Sequence, residues 1–552
     1  MMKRIFTIVL IVFTTLSCLD QRPLDFTAPS TWYSNQDELE MALAGVYDPL
    51  RDLYSDYLSV QLSQATDEVF SKESAPKMVP YYYNYDKGDN VIKTVWQELY
   101  KGIDNANNFL ENADNADCDV QLIRQMKGEA LFLRGYYHFL LTAYWGDVPL
   151  RLSSTKTAEE VHIPRTASSE VYTSAIKDMK ESLDMVADIS EHGFGGRVSK
   201  QAVKGILARV CLNAAGRIPD ADASYYYTEA RTWAKSLMDE NFHELNPKFD
   251  DIFINLMQDR YDIKECIFEV ECYGNTNNDE AKETGTFVSY YTAQWSSDWT
   301  VNDEKETLAR GRGYMYCTPQ LYDMYEDGDR RRDWTISPYI YSKKGEDGFE
   351  KRNYPEVFRF RWPGKFRREY EINLPPYSWG NSTNYPLLRY SDVLLMFAEA
   401  DNYINEGSTS ESLEAVNQVR RRAFGLDSNT AAPDVDLTAM NYEDFLAYLQ
   451  KERARELAME SHRKLDLLRW GILYETMKQI SREMKEIPLK VANAAGDMVD
   501  NPMFKWNGSG FPGIDVCVRS YDNFAERHLL LPIPEKEFTV NKAITVNNPG
   551  WE

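Results

Sequence analysis

The chain has 552 residues, of which 43% are apolar and 27% charged. These are globular proportions, and they exclude wholesale disorder, a collagen-like repeat and a multi-span membrane protein. Lys and Arg number 62 against 86 Asp and Glu, a formal charge of −24; so acidic a surface repels phosphate and argues against a general nucleic-acid binder.

The chain opens on an address. Lys3 and Arg4 precede an apolar run from Ile5 to Leu16, followed by Ser17 and Cys18. A basic start, a short apolar run and a small residue at the cut describe a secretory signal over residues 1–17, and the run is shorter than the roughly 20 residues that a membrane-spanning helix needs. A Cys directly after the small residue resembles a bacterial lipobox, with Cys18 as the lipidated mature N-terminus. Cleavage there removes two positive charges and makes the mature chain more acidic still.

Helical periodicity then dominates. It predicts helices near 37–53, 91–113 and 121–144, then over Ser168–Ala187, then near 199–215 and 225–239. In Ser168–Ala187 the apolar stripe is Val171, Ala175, Ile176, Met179, Leu183 and Val186, the 3.6-residue spacing of an amphipathic helix. Residues 240–385 break this pattern with short β-like runs such as Cys266–Cys272 and with many aromatics, Gly and Asn. Helical spacing returns at Tyr390, Val393, Leu394, Phe397 and Ala398, then over 409–424 and 442–480, and residues 484–550 are again irregular and proline-rich. The expected fold is mainly α: tetratricopeptide-like helical hairpins packed against a loop-rich, aromatic-rich half with few short strands. Loops on such a frame commonly carry binding.

Catalytic and metal readings find little support. Glu452, Glu456, Glu460 and Asp466 lie on one helical path, but Arg453, Arg455, Arg463 and Arg469 interleave with them. Pairs such as Glu452–Arg455 and Arg453–Glu456 sit at ion-pairing spacing, and an ionised, paired carboxylate is a poor general acid. His138 stands without a metal-binding neighbour in sequence. Cys266 and Cys272 are the one close cysteine pair, with no His at metal-ligand spacing. Asp327–Asp333 lacks the closing Glu of a calcium loop. No phosphate-cradling glycine motif and no nucleophile elbow is present. The expectation is a protein without enzymatic activity, metal or cofactor.

A series of motifs in fixed order resembles the SusD/RagB family, outer-membrane nutrient-binding lipoproteins of the Bacteroidetes type. After Cys18-Leu19-Asp20 come Gly45-Val46-Tyr47, Trp96…Tyr100…Asn107, and Gly128-Glu129-Ala130-Leu131-Phe132-Leu133-Arg134 leading to Tyr144-Trp145-Gly146-Asp147-Val148-Pro149-Leu150. Then follow Gly196-Arg197-Val198-Ser199, Asp329-Arg330-Arg331, Leu388-Arg389-Tyr390-Ser391-Asp392, the Glu452–Gly471 run and the closing Asn547-Asn548-Pro549-Gly550. The resemblance implies four tetratricopeptide-like units and one continuous fold after the signal peptide, with an N-terminal region at 18–240 and a C-terminal region at 241–552. It implies a lipid-anchored, surface-exposed protein that captures a nutrient, usually an oligosaccharide or polysaccharide. The implied partner is a TonB-dependent outer-membrane transporter of the SusC kind, which the repeat side faces.

Two aromatic segments fit helix packing badly. Tyr81, Tyr82, Tyr83 and Tyr85 follow Pro80, and consecutive side chains point in different directions, so some are expected to be exposed. Tyr290, Tyr291, Trp295 and Trp299 lie in the irregular middle among Gln294, Ser296 and Asp298. Sugar rings stack on such aromatics while carboxylates and amides bond their hydroxyls; packing within the chain is the alternative. Asp67 matches a family position that often lies beside the ligand. Arg389, just before a helix, is a weaker candidate and pairs equally well with a carboxylate. The expected function is a glycan-binding surface lipoprotein delivering oligosaccharide to its transporter. Peptide capture on the same scaffold is the alternative, with a surface hydrolase as a remote one. The acidity favours an uncharged ligand.

Overall fold

The computed structural model describes residues 32–71, 79–274, 284–291, 311, 313–344, 348–372, 380–504 and 513–552. Its longer helices are α1 (Gln36–Asp52), α2 (Asn90–Asn112), α3 (Val120–Trp145), α4 (Ser168–Ser182), α5 (Lys200–Arg217), α6 (Ala223–Met238), α7 (Tyr390–Asn405), α8 (Ser410–Ala423), α9 (Tyr442–Leu457), α10 (Arg463–Arg469) and α11 (Leu473–Glu486). Short polar side chains start many of them. Asp89 accepts from the backbone N–H of Val91 and Ile92, Asp119 from Gln121 and Leu122, and Ser199 from Ala202. Each satisfies N–H groups that a helix start leaves unbonded.

The helices pair as α1–α2, α3–α4, α5–α6 and α7–α8, and neighbouring pairs pack in turn, α2 on α3, α4 on α5 and α6 on α7. This is the expected hairpin series. Contact at α5 is very close: a Cβ on Gly216 would stand 1.9 Å from the Arg469 carbonyl oxygen, so only glycine fits. The expected single helix over 442–480 is corrected to α9, α10 and α11. Met459 and Ser461 take left-handed backbone (φ 64° and 63°), as does Gly471 (φ 71°), and no α-helix continues through that conformation.

The second half is held by short antiparallel ladders. β1 (Val69–Ser71) pairs with β3 (Met315–Cys317), and β2 (Cys266–Val270) with the strand Tyr385–Arg389 that leads straight into α7. The C-terminus closes over the helical half. Trp145 Nε1 donates to the Pro532 carbonyl (2.8 Å), Asn548 Nδ2 donates to the carbonyls of Trp145 and Leu531 (2.8 and 2.7 Å), and Trp551 stacks on Tyr85 at 5.2 Å.

Beneath α7–α10 lies a buried ionic network. Glu456 accepts from Arg331, Arg389 and Arg422 at 3.0, 2.9 and 2.6 Å. Arg389 also reaches Glu265 and Glu460, and Arg331 reaches Asp329 and Glu452. Burial alone would raise the Glu456 pKa; the three guanidiniums overcome it and hold the group well below the ordinary carboxylate range. In the same way Arg331 and Arg455 lower Glu452 to about 2. The sequence expectation of an ionic network holds, but its geometry is mostly long-range. Glu452–Arg455 forms at 2.7 Å, whereas Arg453 reaches Asp392 and Asp466. His138 is likewise engaged: its Nε2 accepts from the Arg151 N–H, which leaves Nδ1–H to donate to the Arg134 carbonyl.

Candidate binding groove

The two tyrosine segments meet different fates. Pro80–Tyr82 form one 3₁₀ turn, and Tyr83 follows with left-handed backbone (φ 50°). That turn tucks successive rings inward, so Tyr81, Tyr82, Tyr83 and Tyr85 are all buried. The expectation that some would be exposed is corrected: the C-terminal segment covers what helix packing would have left open. Tyr82 and Ser71 share a hydroxyl contact at 2.8 Å, Tyr83 donates to the Ala65 carbonyl at 3.1 Å, and Tyr83 meets Phe524 edge-on at 4.7 Å. Asp67 is buried and chelates Arg463, accepting from its Nε at 2.8 Å. Arg389 is buried within the ionic network. Trp295 and Trp299, like Cys18, lie outside the described residues.

Tyr290 reaches an opening. After α1 the chain continues as a π-helix, Leu53–Leu62, and the short helix Phe287–Tyr291 is pinned across it. The Thr286 N–H donates to Ser55 Oγ at 3.1 Å, Tyr291 donates to the Ser59 carbonyl at 2.6 Å, and Tyr290 donates to Asp56 Oδ2 at 3.2 Å. Beside this joint lies an open groove of about 620 Å³, lined by Asp52, Asp56, Glu98, Tyr57, Thr286 and Tyr290 among others. Tyr57 is half-buried. Burial pushes the Asp56 carboxyl up despite its hydrogen bonds from Tyr290 and Gln61.

The groove offers a ring face, hydroxyls and carboxylate acceptors together, the combination that holds a polyhydroxylated ligand. Three carboxylates line it: Asp52 at the end of α1, Asp56 four residues on, and Glu98 on α2. Of the described site residues expected from sequence, Tyr290 alone lines this groove, with 9% of its surface exposed; Asp67, Tyr291, Arg389 and the 81–85 tyrosines are held in the interior. Sequence reasoning missed Asp56, Tyr57, Glu98 and Thr286. The spacing of Asp52 and Asp56 was its one visible signal.

Comparison with known proteins agrees with this architecture. A family model described as "SusD family" matches residues 264–551, and one described as "Starch-binding associating with outer membrane" matches residues 19–212. SusD-like protein P2 of Formosa agariphila is 24% identical over 575 aligned positions, covering 100% of both chains. The crystal structure of a SusD homolog from Bacteroides thetaiotaomicron superposes with a TM-score of 0.80 at 23% identity, covering 95% of this chain and 98% of that one. A structure described as a laminarin-binding SusD-like protein superposes at 0.67 with 20% identity, covering 94% and 100%. With the family model spanning more than half its length, the chain belongs to the SusD family.

Proposed function

We propose that this is an outer-membrane lipoprotein that binds oligosaccharide and passes it to a partner TonB-dependent transporter. SusD-like proteins are binding proteins rather than enzymes. The observation that carries the glycan reading is the groove at Tyr290, where Tyr57, Asp56, Glu98 and Thr286 supply a ring face and acceptors on a rigid joint. A family description naming starch and a fold neighbour named for laminarin support it.

Isothermal titration against starch, laminarin, xylan and peptide digests tests the reading. Binding to at least one neutral glycan is expected, and Tyr57→Ala weakens it by about 1–3 kcal/mol, the typical worth of a stacked aromatic contact. Binding to peptides with none to any glycan overturns it. Anchoring follows from Cys18: Cys18→Ser is expected to abolish metabolic labelling with palmitate, and retained label removes the lipid anchor from the proposal. Delivery rests on the family resemblance, and co-purification with a transporter from detergent-solubilised outer membrane tests it.

A further inference from the structure

A larger cavity adjoins the Tyr290 groove. It is an open cleft of about 830 Å³, with Leu43, Leu50 and Val270 as apolar lining, the half-buried ring of Phe194, and Asn105 and Glu271 as polar groups. Its helical wall is the same antiparallel seam of α1 and α2 that walls the groove. Asn105 donates to the Gly45 carbonyl at 2.7 Å, and Lys101 pairs with Asp48 at 2.8 Å. The cavities meet at two salt bridges. Arg51 and Lys101 line the cleft, Asp52 and Glu98 line the groove, and the pairs Arg51–Asp52 and Lys101–Glu98 stand at 3.1 and 3.0 Å. β2 and Glu271 stand beside the cleft, and Thr286 and Tyr290 beside the groove. Along α1 the wall runs about 18 Å from Glu40 to Asp52 at 1.5 Å per residue, several sugar rings in length.

The charge along this trench is unequal. Its cations are matched: Arg51 and Lys101 by the acids just named, and Arg197 by the buried Glu129, which accepts from its Nη2 at 2.6 Å. Asp56 and Glu271 take their hydrogen bonds from neutral groups, the Tyr290 and Tyr261 hydroxyls. Among the described lining residues no cation is left over for an anionic ligand, while acceptors for hydroxyls remain.

We infer that the groove and the cleft are two stretches of one trench, which takes a linear, uncharged oligosaccharide several units long. The inference rests on the glycan reading and adds chain length and charge to it.

Titration of the full-length protein with a neutral oligosaccharide series, from disaccharide to octasaccharide, together with alginate and pectin oligomers, tests it. Affinity is expected to rise on the order of tenfold or more with length before levelling, and the uronate oligomers are expected to bind at least tenfold more weakly than neutral chains of equal length. Phe194→Ala is expected to shrink the ratio of octasaccharide to disaccharide affinity, whereas Tyr57→Ala lowers affinity at every length. Phe194→Leu keeps apolar bulk without a flat face and carries the test if the alanine variant misfolds. Glycan binding that is flat with length, equal for uronates, or unchanged in its length ratio by both Phe194 variants overturns the trench and leaves the glycan reading standing. No binding to a glycan of any length overturns the glycan reading itself.

Discussion

Around Glu456 three guanidiniums share one carboxylate that water does not reach; around Asp56 three carboxylates face an open groove, and the cations nearest them are already paired. Both regions are built from the same residue types. What separates them is closure. In the first, each charge finds its opposite inside the protein, and the result is a joint between α8, α9, Arg389 at the start of α7 and the short helix Arg331–Thr335. In the second, acceptors are left over, and leftover acceptors in a half-dry groove are what a hydroxyl-rich ligand needs. An Arg- and Glu-rich motif is therefore evidence for scaffold, and the proposed binding site lies where the charges fail to match.

The largest test of this contrast removes the shared carboxylate. Glu456→Ala strands three buried guanidiniums and is expected to cost about 3–5 kcal/mol, read by urea denaturation. A loss under 1 kcal/mol would show the network to be dispensable. Acid probes the same joint. Glu452 falls from its ordinary 4.5 to about 2 in the fold, held there by Arg331 and Arg455 against burial. Its contribution is present above 4.5 and fades as pH drops toward 2, by about 3 kcal/mol at 1.36 kcal/mol per unit. Stability measured at pH 6 and pH 3 is expected to show about 2 kcal/mol of that loss, reduced in Glu452→Gln.

Glu269 provides the opposite sign. Burial lifts it from 4.5 to about 8, so the fold favours its protonated form, and that advantage is lost as pH rises from 4.5 through 8. Glu269→Gln is therefore expected to stabilise the protein by about 2 kcal/mol at pH 6, by more at pH 8, and to change little at pH 4. Equal melting temperatures for both forms at pH 8 would remove that reading. The smallest expected effect is Tyr83→Phe, which deletes one buried hydrogen bond to Ala65 and costs about 1 kcal/mol. Its glycan affinity is expected to match wild type, and a matched loss of affinity would move the ligand toward the 81–85 turn.

Much of the frame could be read from the chain alone. The apolar stripes place most helices to within about two residues, because that signal is local, although the stretch expected as Ser168–Ala187 ends its helix five residues early, at Ser182. The division of 442–480 was not legible, since nothing about Met459 or Ser461 as residue types announces left-handed backbone. Tyr83 and Asp67 were misleading for a related reason. Their burial is decided by partners hundreds of positions away, Phe524 and Arg463. The groove was half legible: Tyr290 stood out as an aromatic in an irregular stretch, but Glu98 and Thr286 reach it only through the fold.

The closing residues carry one more consequence. Tyr85 lies under Trp551, and the Trp145 carbonyl is bonded by Asn548. The first helical hairpins are thus sealed by residues about four hundred positions further along the chain. A chain still growing from its N-terminus has those aromatic surfaces uncovered until residues 548–551 are made, so closure of this part of the core waits on a segment made long after the hairpins it covers. A premature stop before residue 548 removes Asn548 and Trp551 together, and with them the cap over the first half.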